Sequence, residues 1–262
     1  MFLNAIVIVA REVMESALVA CLLIALVCIR ALPGRSVLWG FGLGAVLATL
    51  YGSSVDIITP WLDYRGQEVV IVTVHVLMVG LILALLLNDT LSPLRHDRCA
   101  CWLITLLLGL SLTLEISEIG IYVSAYSDKP ELLSSAVLGS LIGAGIGVSL
   151  AIIGFYTLMR LPLDKSVRVI HALFALLIGG LLSQSVQILS QVDILPGQAP
   201  AWDTSSTLSE TSIPGQLLVA VLRYEARPTW LQVLVYASGT ALALWLWLFR
   251  RGASVSKQQR LE

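Results

Sequence analysis

Residues 2–29 read FLNAIVIVAREVMESALVACLLIALVCI, an apolar run broken near its middle by Arg11-Glu12-Val13-Met14-Glu15. A stretch this long and this apolar crosses a lipid bilayer as a helix, because lipid offers no partner to backbone N–H and C=O groups. Six further runs have the same character: 37–58, 69–87, 102–125, 132–159, 167–189 and 230–249. The composition agrees. Of 262 residues 57% are hydrophobic and 13% charged, and the mean hydropathy is +0.89. A soluble domain carries roughly a quarter charged residues. A soluble enzyme, a nucleic-acid binder and a disordered chain are therefore excluded. A membrane barrel is excluded too, since its strands would be about ten residues long and alternate in polarity. The first run has no basic leader and carries charges at its centre, so it reads as a span and not as a cleavable signal. The expected fold is all-α: a polytopic membrane protein with seven transmembrane helices.

Lysine and arginine orient the chain. One set of connecting segments holds eleven of them (Arg30, Arg35, Arg95, Arg98, Arg160, Lys165, Arg168, Arg250, Arg251, Lys257, Arg260), and the other holds four (Arg65, Lys129, Arg223, Arg227). The positive-inside rule puts the richer set in the cytoplasm, with the N-terminus outside and the C-terminus inside. With their acids counted, the inner segments carry +7, the outer segments −5 and the span interiors −3, which together give the net −1 of the chain. An acidic outer face draws cations toward the membrane.

The chain also repeats itself. An offset of 103 residues maps Glu12 onto Glu115, Glu15 onto Glu118, Gly40, Gly42 and Gly44 onto Gly143, Gly145 and Gly147, and Arg65 onto Arg168. The glycines form G-x-x-x-G steps, which let helices pack closely. Three spans per repeat is an odd number, so the copies are expected to be inverted, a common plan for secondary transporters. The reading is one transmembrane domain over 1–249. Repeat 1 covers about 1–92 and repeat 2 about 99–194, an outer loop occupies 195–228, and a seventh helix follows at 229–249, with a basic cytoplasmic tail at 250–262. Within the outer loop, Ile213–Leu222 is apolar but too short to span, and Ser212 and Pro214 offer a helix start. It reads as an interfacial or re-entrant helix.

Glu12 and Glu15 are three apart and share a helix face, while Arg11 and Glu15 are four apart and able to pair. Glu115 and Glu118 repeat the spacing in the fourth span. Counted from the outer ends, the two pairs lie within about a turn of one level, so four carboxylates are able to converge. One arginine balances one of them. Each remaining charge costs at least about 3 kcal/mol at the bilayer centre, so protons, a bound cation or both must neutralise the surplus. Carboxylate oxygens without clustered Cys or His favour hard cations such as ferric iron, manganese, calcium or magnesium. The metal-site expectation is Glu12, Glu15, Glu115 and Glu118, with Arg11 in support. Gln184, Gln187 and Gln191 form a polar stripe on the sixth span, and the residues leave two roles open for it: interhelical hydrogen bonding, or lining of the permeation path with Gln187 and Gln191 supporting the site. His75 reads as a core residue, and Cys21, Cys28, Cys99 and Cys101 as small reduced hydrophobes. None of the three lysines follows a glycine, so there is no P-loop. With no nucleophile or hydrolase motif either, the chain is not expected to be an enzyme or to hold a tight cofactor.

These residues resemble the oxidase-dependent high-affinity iron permeases of fungi and their bacterial ferrous-iron-uptake relatives. The likeness rests on R-E-V-M-E at 11–15, E-I-S-E at 115–118 and the seven spans. It rests further on Trp202-Asp203-Thr204-Ser205, Gly215-Gln216-Leu217-Leu218, Arg223-Tyr224, Pro228, Gln232 and Tyr236. The resemblance implies a plasma-membrane permease, in bacteria the inner membrane, that imports iron through its paired glutamates. It also implies an outer-face partner, a multicopper ferroxidase or a periplasmic iron-handling protein. The chain departs from the family pattern at Leu114, where Arg is usual, and at Val13 and Ile116, where Gly is usual. Gln187 and Gln191 stand where acidic residues are frequent. Those departures leave manganese or lead open as the metal. A proton-coupled transporter of another solute is the alternative from a different class.

Overall fold

The computed structural model describes residues 2–89 and 97–258. The described residues form nine helices: α1 (Phe2–Ile29), α2 (Arg35–Ile58), α3 (Trp61–Tyr64), α4 (Gly66–Asp89), α5 (Asp97–Ser124), α6 (Pro130–Arg160), α7 (Leu163–Gln191), α8 (Ile213–Leu222) and α9 (Trp230–Gln258). There is no strand among them beyond an isolated bridge between Pro200 and Thr229. Seven of the helices (α1, α2, α4, α5, α6, α7 and α9) are long and apolar enough to cross a membrane. The seven expected spans are therefore present, with longer ends: α5 starts at Asp97, α7 at Leu163, and α9 runs on to Gln258 through much of the expected tail. Arg95 and Arg260 of the charge count, the end of repeat 1 near 92, and the last residues of the 250–262 tail lie outside the described residues.

The helix ends follow local chemistry. Pro130 occupies the first turn of α6 with Glu131 beside it, where a missing N–H and a negative charge both suit the helix start. The helix stops at Leu161, whose extended backbone precedes Pro162. Ser212 caps α8 by accepting the Gly215 N–H at 3.1 Å, and α8 closes at Arg223 in a left-handed conformation (φ 53°). Between α2 and α4 the chain turns through Leu62, Asp63 and Tyr64, all with positive φ. It comes so close to itself there that a Cβ on Gly66 would lie 1.9 Å from the Ile58 carbonyl oxygen.

The helices group into two compact units. Unit 1 comprises Met1–Gln67 and Ile104–Ser166, and unit 2 comprises Glu68–Leu103 and Val167–Glu262. In unit 1, Gly139, Gly143 and Gly147 of α6 meet α1 at Ala5, Val9–Ala10 and Val13–Met14 in turn. The rising numbers on both sides mean that α1 and α6 run parallel. Gly40 and Gly44 of α2 meet Leu108 and Leu112 of α5 in the same sense, and Gly109 returns the contact to Leu43. Small residues allow the backbones to approach closely where hydrophobic driving force is absent. Gly42 and Gly145, which share the repeat, have open space at their Cβ positions and take no part. In unit 2, α7 and α9 run antiparallel. His171 stacks on Trp247 at 5.4 Å, and further along Gly179 meets Tyr236 and Thr240 while Gly239 meets Leu182.

Candidate metal site

The glycine contacts of unit 1 hold the carboxylates. Val13, between the two glutamates of α1, is seated on Gly147, and Leu112, one turn before Glu115, is seated on Gly44. With both helices held at these levels, Glu12, Glu15 and Glu115 each offer a carboxylate oxygen, all within 4.8 Å of one another. Glu15 and Glu115 are buried and Glu12 half-buried. Glu118 is exposed at its end of the cluster, with its side chain near that of Glu12. Arg11 pairs with Glu15, Nε to Oε1, at 3.9 Å while remaining itself largely exposed. Of the residues expected to form a site, three converge, the fourth joins through Glu12, and Arg11 closes the edge.

The neighbouring polar groups look inward to their own helices. Ser117 donates to the Leu114 carbonyl at 2.7 Å and Ser16 to that of Val13 at 3.3 Å. Leu114, where the resembled family has Arg, is buried, and Ile116 is exposed. A cavity of about 400 Å³ continues along α1 from Val13 and Ser16 past Cys21, with Phe41, Phe155 and Tyr156 among its walls.

The glutamine stripe belongs to unit 2 and is engaged there. Gln184 accepts from Arg223 Nη1 at 2.5 Å, and Gln187 Nε2 donates to Glu225 Oε1 at 3.0 Å. Gln191 is exposed. The other Glu225 oxygen accepts from Gln232 Nε2, and Gln232, only 2% exposed, accepts the Thr229 N–H at 2.7 Å. Sequence reasoning missed this cluster. Gln232 and Arg223 stand in the late motif, yet only the reversal between α8 and α9 brings them to α7. Gly180 makes room for it, since a Cβ there would lie 2.2 Å from Arg223 Cγ.

An all-helical chain with seven membrane-crossing helices and carboxylates gathered inside one helix group is a multi-pass membrane protein built as a transporter is built. The sequence model of the Iron permease FTR1 family matches residues 121–251, and the chain belongs to that family. Family and fold together define a membrane metal permease. The matched stretch contains the late motif from Trp202 to Tyr236 and leaves both glutamate pairs upstream of it. No curated protein and no solved structure matches the chain.

Proposed function

We propose that the chain imports iron across a plasma membrane, in bacteria the inner membrane, with Glu12, Glu15 and Glu115 as the ligands in transit and Glu118 as their entry partner. The observation that carries this reading is the meeting of three carboxylates from two helices within 4.8 Å. Opposite oxygens around a small hard cation lie about 4.2 Å apart, so the cluster needs only a slight contraction to replace a hydration shell. A cation there also relieves the repulsion among the acids in a medium where charge is poorly screened. Arg11 limits the site's negative charge without filling it. The proposal takes the two repeats as inverted with the N-terminus outside, so that α1 and α5 cross the membrane in opposite directions, in keeping with alternating access. The acidic outer segments deliver the cation, and an outer ferroxidase or periplasmic iron-handling protein supplies it.

One observation favours a second reading. The side chains of Glu118 and Glu12 lie close together, and neighbouring carboxyls are able to pass a proton from one to the next. In that reading the acids relay protons while another solute moves. Uptake into liposomes holding the purified chain separates the two, with ferrous, ferric, manganese and lead ions offered singly over a range of pH. Saturable iron uptake supports the proposal. Manganese or lead carried in preference changes the metal, and proton flux with no metal uptake overturns the proposal in favour of the relay.

A further inference from the structure

Beyond the carboxylate cluster, unit 1 carries a row of oxygen donors that the proposed function leaves unused. Glu118, Tyr122 and Tyr126 follow one another at four-residue steps along α5 and share one face. Long side chains on a helix lean toward its N-terminus, so Tyr126 covers Tyr122, and Tyr122 covers the turn of Glu118. The two rings meet edge to face with centroids 5.5 Å apart, and both residues are half-buried while Glu118 is exposed. In unit 2, tyrosine hydroxyls are spent on backbone carbonyls, Tyr236 on Leu222 and Tyr224 on Leu208. Among the described residues, the hydroxyls of Tyr122 and Tyr126 have no such backbone partner.

A buried hydroxyl stands at the same level. Ser140 is 8% exposed, on the buried face of α6 with Gly139 and Gly143, and its Oγ has no hydrogen-bond partner among the described residues. Gly139 meets Ala5, and Gly143 meets Val9 and Ala10, so Ser140 lies toward the start of α1 from Glu12. The tyrosines lie on that side too. α5 runs with α2, and α2 returns from α1 through the short turn at 30–34, so α5 runs against α1. Past Glu118, Tyr122 and then Tyr126 therefore lead away from the carboxylates toward the start of α1.

We propose that Tyr122, Tyr126 and Glu118 form a holding site for a hard cation ahead of the glutamate cluster, from which the ion passes to Glu12, Glu15 and Glu115. The holding step stands on the α5 donors, and only the onward step rests on the permease reading.

All the donors are oxygens, the class that suits hard cations. A cation entering the bilayer sheds its water in steps, and neutral phenols add donors without adding charge where acids already repel one another. An unpaired buried hydroxyl costs free energy, which a cation or its remaining water at the level of Ser140 recovers. When a phenol binds the ion, its O–H gives way to an oxygen–metal bond, the proton leaves to water and the metal keeps its oxidation state. Tyrosines near helix ends also anchor proteins at the membrane interface, a role that gives no metal signal.

Ferric iron is the probe, because its bonds to phenolate oxygen absorb visible light and its bonds to carboxylates do not give that band. Added as the nitrilotriacetate complex to the purified full chain, it should produce the band in the native protein. Tyr122→Phe, Tyr126→Phe and Glu118→Gln should each weaken iron binding by at least about tenfold, and the double Phe variant should abolish the band. Glu15→Gln and Glu115→Gln should keep the band while uptake falls. A native protein without the band, or a band that survives in the folded double variant, overturns the inference. Should the double variant not fold, the single Phe variants decide, and unchanged binding in both likewise overturns it. A band without iron uptake by the native chain leaves the holding site standing and removes the permease reading instead.

Discussion

The two units answer buried charge in opposite ways. In unit 1, carboxylates from α1 and α5 face one another, with Arg11 at the rim. In unit 2 two charged groups at the helix junction meet glutamines: Arg223 meets Gln184, and Glu225 meets Gln187 and Gln232. A neutral amide satisfies a charge without cancelling it, so such a cluster joins helices and needs nothing from outside. Carboxylates turned on one another remain short of positive charge, the shortage on which the proposed cation site depends. On the proposed function, buried acids thus make a joint with amides in one unit and a metal site with one another in the other.

The sharpest way to break this contrast is to remove one charge from unit 1. Glu15→Gln and Glu115→Gln should each reduce metal uptake at least tenfold while thermal stability holds or rises, because a crowd of like charges loses one member. Normal uptake in both, or unfolding in both, would make the cluster a structural joint like that of unit 2. The converse change is Gln232→Ala. It strips a donor from Glu225 and leaves the Thr229 N–H without its acceptor, and should lower stability by about 1–3 kcal/mol while any chain that still folds keeps its affinity for metal. A selective loss of metal affinity would move the binding site toward unit 2.

Packing tests come next in size. Gly143→Ala puts a methyl group 2.6 Å from the Ile6 carbonyl oxygen and 2.9 Å from the Ala10 nitrogen, backbone atoms unable to step aside. It should lower the melting temperature more than Gly40→Ala, whose new methyl meets the Leu108 side chain at 2.9 Å. Gly145→Ala, facing open space, should change nothing. Equal losses at all three positions would mean that helix propensity, and not the seating of α1 on α6, governs this face.

The smallest effect belongs to the exposed pair Asp203–Arg227, joined at 2.5 Å. Arg227 and Ser205 hold the Asp203 carboxyl well below the usual aspartate range. Stability from a depressed acid is present above its ordinary value and fades only as pH falls through the lowered one. Asp203→Asn should therefore leave the pH dependence of stability between 5 and 8 unaltered, and exposed ion pairs contribute little in any case. A clear loss of stability in Asp203→Asn would show that this exposed pair helps to hold the outer segment.

Much of this was legible in the residue order. Val13 and Leu114 were visible as departures from a family pattern, but their roles were not. Val13 fills the notch at Gly147, and Leu114 is buried where a charged residue is usual. The repeat pointed to all three glycines of each copy, yet Gly42 and Gly145 face open space, because a helix turns them about 200° from one neighbour of the triplet to the next. The glutamine stripe left its role open, and the bonds from Gln184 and Gln187 to residues nearly 40 positions later show why: such partners come together only where the segment after α7 folds back on it.

The sequence by itself determined the seven membrane-crossing helices, since a bilayer leaves an apolar run of this length one way to satisfy its backbone. It also determined that Glu12 pairs with Glu15, and Glu115 with Glu118, on one helix face each, since spacing along a helix settles direction. The tertiary structure alone decided that Glu115 meets the α1 pair while Glu118 touches Glu12 from the edge, and that Glu225 answers to amides on α7 and α9. The physical reason is that helical spacing fixes only the angle at which a side chain leaves its own axis. Which axes lie close enough for two such side chains to meet is set by where glycines let backbones touch, at Gly147 on Val13 and Gly44 on Leu112.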